Sequence, residues 1–188
     1  MSTGHQATPL AGVHLRLLAA ADAPAYQFLR DALLHGAPTA FTSDPVASAG
    51  LPASHFAPRL GTPESGQFFV GALDAAGQLL GCVGCERRQR TKERHRATVL
   101  GMMVLPAAQQ RGLGRQLLDA CLVAAARMHG LQQLDLTVTA GNASAMRLYA
   151  AAGFKAWGSH PNAIVVDGVA YDKVHMLLRL PPGLNGPT

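Results

Sequence analysis

The chain has 188 residues, 48% of them hydrophobic and 14% charged, with a formal net charge of +5. That is ample for one well-buried core, and the mild basic balance favours an anionic ligand without calling for nucleic acid. Three cysteines, Cys82, Cys85 and Cys121, are an odd number and too few to staple a domain of this size, which fits a reducing cytoplasm. No stretch approaches the about 20 apolar residues of a membrane span. Met1 to Gly12 lacks the basic start and apolar run of a signal peptide and reads as a flexible tail before a single domain over 13–182.

Val13, Leu15 and Leu17 alternate with His14 and Arg16, the period of a half-buried strand. Asp22 is placed to cap a helix with Pro24 in its first turn and Tyr26, Phe28, Leu29, Leu33 and Leu34 on its apolar side, ended by Gly36 and Pro38. Ala40 to Gly66 is a Pro-, Ser- and Gly-rich loop with a short helix expected near Ser54 to Leu60, and a loop this long is a functional candidate. Gln67 to Leu73 and Gln78 to Arg88 read as a hairpin, with Arg96 to Val104 as a third antiparallel strand. Cys82 and Cys85 have C-x-x-C spacing, but on a strand they face opposite ways, so they read as small core residues and no metal is implied. The basic cluster Arg87, Arg88, Arg90, Lys92, Arg94 and Arg96 has no interleaved aromatics and reads as a solvated strand end, not a nucleic-acid surface.

Gly114 to His129 carries Leu117, Leu118, Cys121, Leu122 and Ala125 at helical spacing, and the strand Leu131 to Val138 follows it. A strand, helix, strand unit of this length implies a parallel crossover. Asn142 caps a shorter helix through Ala151, Gly153 stops it, and Phe154 onward and Tyr171 to Leu180 read as closing strands.

The chemistry concentrates at Gln109-Gln110-Arg111-Gly112-Leu113-Gly114-Arg115, where a strand turns through two glycines into a long helix. A helix start offers unpaired N–H groups and a partial positive charge, and glycine lets an anion approach them closely. The segment lacks the Gly-Lys-Ser/Thr ending of a triphosphate loop. Gln109-x-x-Gly112-x-Gly114 resembles the acyl-CoA pyrophosphate loop of the GNAT superfamily of N-acetyltransferases. Downstream, Asn142-x-x-Ala145-x-x-Leu148-Tyr149-x-x-x-Gly153-Phe154 resembles that family's pantetheine helix.

The resemblance implies a GNAT-like α/β (α+β) fold: a mixed, mostly antiparallel sheet of about six or seven strands flanked by about four helices, with Arg96 to Val104 and Leu131 to Val138 as a splayed parallel pair. It implies acetyl-CoA as cosubstrate and no metal. The amides of Gln110 to Arg115 would bind the pyrophosphate, with Arg111 and Arg115 adding charge and Gln109 shaping the turn. Met103 and Val104 would offer main chain to pantetheine, Asn142 would contact its arm, and Tyr149 would protonate the leaving thiolate. Transfer would be by direct attack of a primary amine in a ternary complex.

Many family members carry a glutamate on the strand before the loop, but Arg96 to Val104 contains no carboxylate. Glu86 and His95 are the candidate bases, with Asp44 and Glu64 behind them. A non-catalytic acyl-CoA-binding or regulatory module is the alternative. The acceptor is a small-molecule amine or a protein N-terminus, walled by Ala40 to Gly66 and His160 to Tyr171, with Phe41, His55, Phe56, Tyr171 and His175 as lining candidates. Family habit makes a homodimer the expected assembly.

Overall fold

The computed structural model describes residues 12–44, 46 and 49–181. The expected tail lies, as far as residue 11, outside them. The strands are β1 (His14–Leu17), β2 (Gln67–Leu73), β3 (Leu79–Arg87), β4 (Arg96–Val104), β5 (Gln133–Thr139), β6 (Lys155–Val166) and β7 (Val169–Arg179). They form one seven-stranded sheet in the order β1-β2-β3-β4-β5-β7-β6. Every neighbouring pair is antiparallel except β4 with β5, the crossover expected from the sequence.

Helices cover both faces. On one lies α1 (Ala23–Gly36), with 3-10 turns at Ala53–His55 and Ala57–Arg59 where a short helix was expected. On the other lie α2 (Leu113–Ala125) and α3 (Ala143–Ala151). Strand alternation divides the core: Phe68, Val70, Val83 and Cys85 meet α2, while Phe69, Cys82 and Met103 meet α1. Leu113, Leu117 and Leu118 of α2 are fully buried, each contributing roughly 1.5–3 kcal/mol by transfer from water. Cys82 and Cys85 do fall on opposite faces, and all three cysteines are free and buried. Among the described residues no helix is long and apolar enough to cross a membrane.

Two local expectations are corrected. The buried stripe of α1 runs through Tyr26, Leu29, Arg30, Leu33 and Leu34, so Phe28 falls off it and is 70% exposed. Asp22 does not cap α1. Its carboxylate accepts from the Ala19 N–H at 2.8 Å and from the Arg16 guanidinium at 2.6 and 2.8 Å. It thereby closes the 3-10 turn Ala20–Asp22, and Arg16 holds its carboxyl below the ordinary range.

Candidate active site

β4 and β5 pair at only three positions, Arg96 with Gln133, Ala97 with Leu134 and Thr98 with Asp135, and then part. β4 bulges just beyond: Gly84 faces Leu100 and Cys82 faces Met103, so Val83 stands against both Gly101 and Met102. A bulge bends its strand and increases the local twist, which turns β4 from its neighbour. Gly101 holds φ +59°, and a Cβ on Gly84 would meet the Phe69 ring at 2.5 Å. Both positions therefore favour glycine.

Past the bulge the Leu105 N–H donates to Leu80 O at 2.9 Å. Successive residues of an antiparallel ladder address opposite edges. Val104 therefore turns its N–H and C=O toward the edge that β5 has left. The side-chain amide of Gln109 donates to that carbonyl at 2.9 Å and ties the loop to the strand end, leaving the Val104 N–H aimed into the opening.

A groove of about 530 Å³ follows this opening. One wall is Met102 to Val104, another the loop residues Gln109, Gln110, Gly112, Gly114 and Arg115, a third Asn142, Ser144, Ala145 and Leu148, and the last Leu33, Ala37, Ala40 and Phe41. Gln110 at φ +59° and Gly112 at φ +76° give the loop its concave amide surface. No side chain caps α2 at Gly112, and although the Arg115 N–H already donates to Gly112 O at 3.1 Å, the Leu113 and Gly114 N–H groups at the start of the helix face an anion site, Leu113 placing its amide there while burying its side chain. Arg111 is exposed. Arg115 lines the groove, but its guanidinium holds both Asp119 oxygens at 2.8 Å, so its charge is already shared.

Asn142 caps α3 as expected, its Oδ1 accepting from the Ala145 N–H at 3.0 Å. Asn142, Ala145 and Tyr149 share one helix face at i, i+3 and i+7. Tyr149 lies deeper, packed in the α2-side core and edge-on to Phe154 with ring centroids 6.0 Å apart. Burial pushes its hydroxyl up to about 12, so the phenol stays protonated near neutral pH.

A smaller cavity, about 220 Å³, lies on the α1 side and meets the groove at Ala40, Phe41 and Met103. Of the aromatic candidates Phe41 alone lines it. Phe56 is buried against Tyr26, His55 is exposed and edge-on to Phe56, Tyr171 pairs with Ile164 toward the β6–β7 turn, and His175 lies tilted against Trp157. Glu86 faces Thr98 across the β3–β4 ladder and lines a third groove, which shares Thr98 and Leu100 with the smaller cavity. His95 precedes β4, with its carbonyl taking the Gln132 and Gln133 N–H groups. It stands six residues before Gly101, about 20 Å at strand rise. Asp44 adjoins Ser43 of the cavity wall, and Glu64 pairs with Arg127 at 2.7 Å. Asp135, unremarked in the sequence, sits 2.7 Å from Thr98 Oγ1, with Arg96 and Arg88 at 3.2 and 3.3 Å. Its partners are 37 to 47 residues away, a separation no local motif reveals.

The model of the acetyltransferase (GNAT) family matches residues 28–154. A mycothiol acetyltransferase of Salinispora tropica is 35% identical over 94 residues, taking in 50% of this chain and 31% of that protein's length. In fold, the chain is similar to a phosphinothricin acetyltransferase of Sinorhizobium meliloti solved in complex with acetyl-CoA, with TM-score 0.79, 22% identity and 94% of each chain covered. It is similar also to an acetyltransferase structure from Salmonella typhimurium with acetyl-CoA, with TM-score 0.75, 22% identity and coverage of 92% of this chain and 96% of that one. Acetyl-CoA is the cosubstrate of such enzymes. The parted strands and the amide-lined loop at their end fall inside the matched segment, and the chain belongs to the acetyltransferase (GNAT) family.

Proposed function

We propose that this chain is an N-acetyltransferase whose domain, residues 13–182, carries the acetyl group of acetyl-CoA to a primary amine by direct attack in a ternary complex. The observation that carries this reading is the meeting of two cavities at Ala40, Phe41 and Met103, beside the unclaimed Val104 N–H. A thioester laid along the larger groove would present its carbonyl at that junction, and an amine would reach it from the smaller cavity.

In this reading the pyrophosphate rests on the amides of Gln110 to Arg115, with Arg111 adding charge from the rim. The pantetheine arm runs between the main chain of Met103 and Val104 and the Asn142 end of α3. An alkyl ammonium, with an ordinary pKa of about 10.4, must first lose its proton to gain a lone pair. Its nitrogen then bonds to the acetyl carbon, and the carbonyl oxygen gathers negative charge that the Val104 N–H stabilises. As the C–S bond breaks, the thiolate takes a proton from the Tyr149 hydroxyl, while the new amide nitrogen gives up its extra proton to water, from which the phenol is reprotonated. Glu86 could receive the amine's proton through water beside Thr98, whereas His95 is too far along β4 for direct contact.

One observation favours the non-catalytic alternative: no aspartate or glutamate lines either cavity. Incubation with acetyl-CoA and an amine panel separates the two readings. Equal amounts of free CoA thiol and acetamide product support transfer. Tight acetyl-CoA binding with no product from any amine supports the binding module.

A further inference from the structure

The smaller cavity has a marked charge. Arg30, Arg59 and Lys173 line it beside the neutral hydroxyls of Thr42, Thr98 and Thr137, and no carboxylate does. Arg30 is held by Asp31 at 3.4 Å and rests over the Phe56 ring. Arg59 and Lys173 are different: among the described residues neither forms an ion pair. The Arg59 guanidinium lies 5.6 Å from the centroid of the Phe69 ring. Lys173 is only 5% exposed. Its ammonium donates to Thr139 Oγ1 at 2.9 Å, and that hydroxyl donates onward to Thr39 O at 2.6 Å, so the chain of bonds ends on a carbonyl and supplies no counter-charge. A buried ammonium without a counter-ion is costly, and burial accordingly lowers the pKa of Lys173.

The sheet order places Phe69 on β2, under Arg59, and Lys173 on β7, so the two cations flank the β4–β5 opening from opposite sides. A simple alkylammonium entering there would meet like charge on both flanks. An amine that also carries an oxyanion would instead complete the two unmatched cations with charge-assisted hydrogen bonds. The same cations would push the amine toward its neutral, attacking form, supplying electrostatically part of what a strand carboxylate would otherwise do. At about 220 Å³ the cavity is below the roughly 300–1,000 Å³ of sites for drug-sized ligands, which suits a small metabolite.

We propose that the acceptor is a small amine bearing an oxyanion, a carboxylate or a phosphonate, and that Arg59 and Lys173 select it. This deepens the acetyl-transfer reading and rests on it for the amine's fate.

The test compares amino acids and 4-aminobutyrate with their carboxamides and with the matching aminoalkylphosphonates. Binding to the CoA-saturated protein is measured by calorimetry, and acetyl transfer by thiol release in parallel. At least one acid should bind more tightly than its own amide by roughly tenfold or more, the scale of a charge-assisted hydrogen bond. The acid-to-amide ratio should fall toward one in Arg59→Met and in Lys173→Met, while Arg59→Lys, which keeps the charge, should retain most of it. Carboxylates ahead of phosphonates, or the reverse, identifies which oxyanion is preferred. No acid ahead of its amide, or a ratio untouched by both methionine variants of normal melting temperature, overturns the proposal. Acid-selective binding without transfer to any amine would uphold the anion site and reject the acetyltransferase reading.

Discussion

The two cavities that meet at Phe41 and Met103 are built by opposite means. The larger is mostly main chain: the amides of the loop into α2, the Val104 N–H and the capped start of α3, all within residues 102–148 apart from the wall given by α1 and residues 37–41. The smaller is mostly side chain, assembled from α1, the 40–43 loop, Arg59, β4, β5 and β7. In the proposed reading, main-chain donors would fix where a pyrophosphate and a thioester lie whatever the side chains are. Side-chain walls can be recomposed without disturbing the sheet, and this is how one cosubstrate site serves many acceptors.

The largest expected effect comes from placing charge on the main-chain side. Gly112 has φ +76°, and a Cβ there would meet nothing within 4 Å, so Gly112→Asp adds strain and a carboxylate but no internal clash. A like charge near 4 Å costs about 4 kcal/mol at an effective dielectric constant of about 20, and the variant should lose about 100-fold or more in acetyl-CoA affinity by calorimetry. An unchanged affinity would detach the loop from cosubstrate binding. Tyr149→Phe should lower kcat by about 100-fold, the scale of general-acid assistance, while leaving acetyl-CoA affinity unchanged. Full turnover in steady-state assays would remove Tyr149 from the chemistry.

Gly84→Ala strikes β3 where it faces the start of the β4 bulge. Its Cβ would lie 2.5 Å from the Phe69 ring, so thermal unfolding should report a loss of about 1–3 kcal/mol, typical of overpacking. Asn142→Ala removes the cap on α3 and should cost about 1 kcal/mol in chemical denaturation, together with weaker acetyl-CoA binding. The smallest effect belongs to the other cavity. Burial lowers the pKa of Lys173 below its usual 10.5, so the unfolded chain binds the extra proton and folding carries a penalty below the folded pKa. That penalty fades as pH rises toward 10.5. Lys173→Met should therefore be at least as stable as the parent at pH 7, with its advantage shrinking in alkali. A variant less stable at neutral pH would show that Lys173 is already well satisfied.

The same contrast governs what could be read from the sequence. The glycine loop and the Asn142 cap are carried by contiguous residues whose backbone preferences are local, and they stand where the spacing placed them; the parting of β4 and β5 is expected only from the family resemblance, and it depends on the β4 bulge against β3. Asp22 closing the turn before α1 depends on Arg16, and the exposure of Phe28 depends on which side of α1 meets the sheet. Asp135, with its Thr98 and arginine partners, depends on pairing across a parallel crossover. Arg59 and Lys173 lie 114 positions apart by their residue numbers, and no periodicity links them. The aromatic ring that packs against Gly84 likewise comes from another strand, Phe69 on β2, and meets it only once the hairpin is folded.

The most direct measurement is acetyl transfer itself: acetyl-CoA labelled in its acetyl group, incubated with the purified chain and the amine panel, with labelled acetamide quantified against free CoA thiol. Formation of both in equal amounts, abolished by Gly112→Asp and slowed by Tyr149→Phe, is the expected result. Binding of acetyl-CoA without labelled product from any amine would contradict it and leave a cosubstrate-binding module in its place.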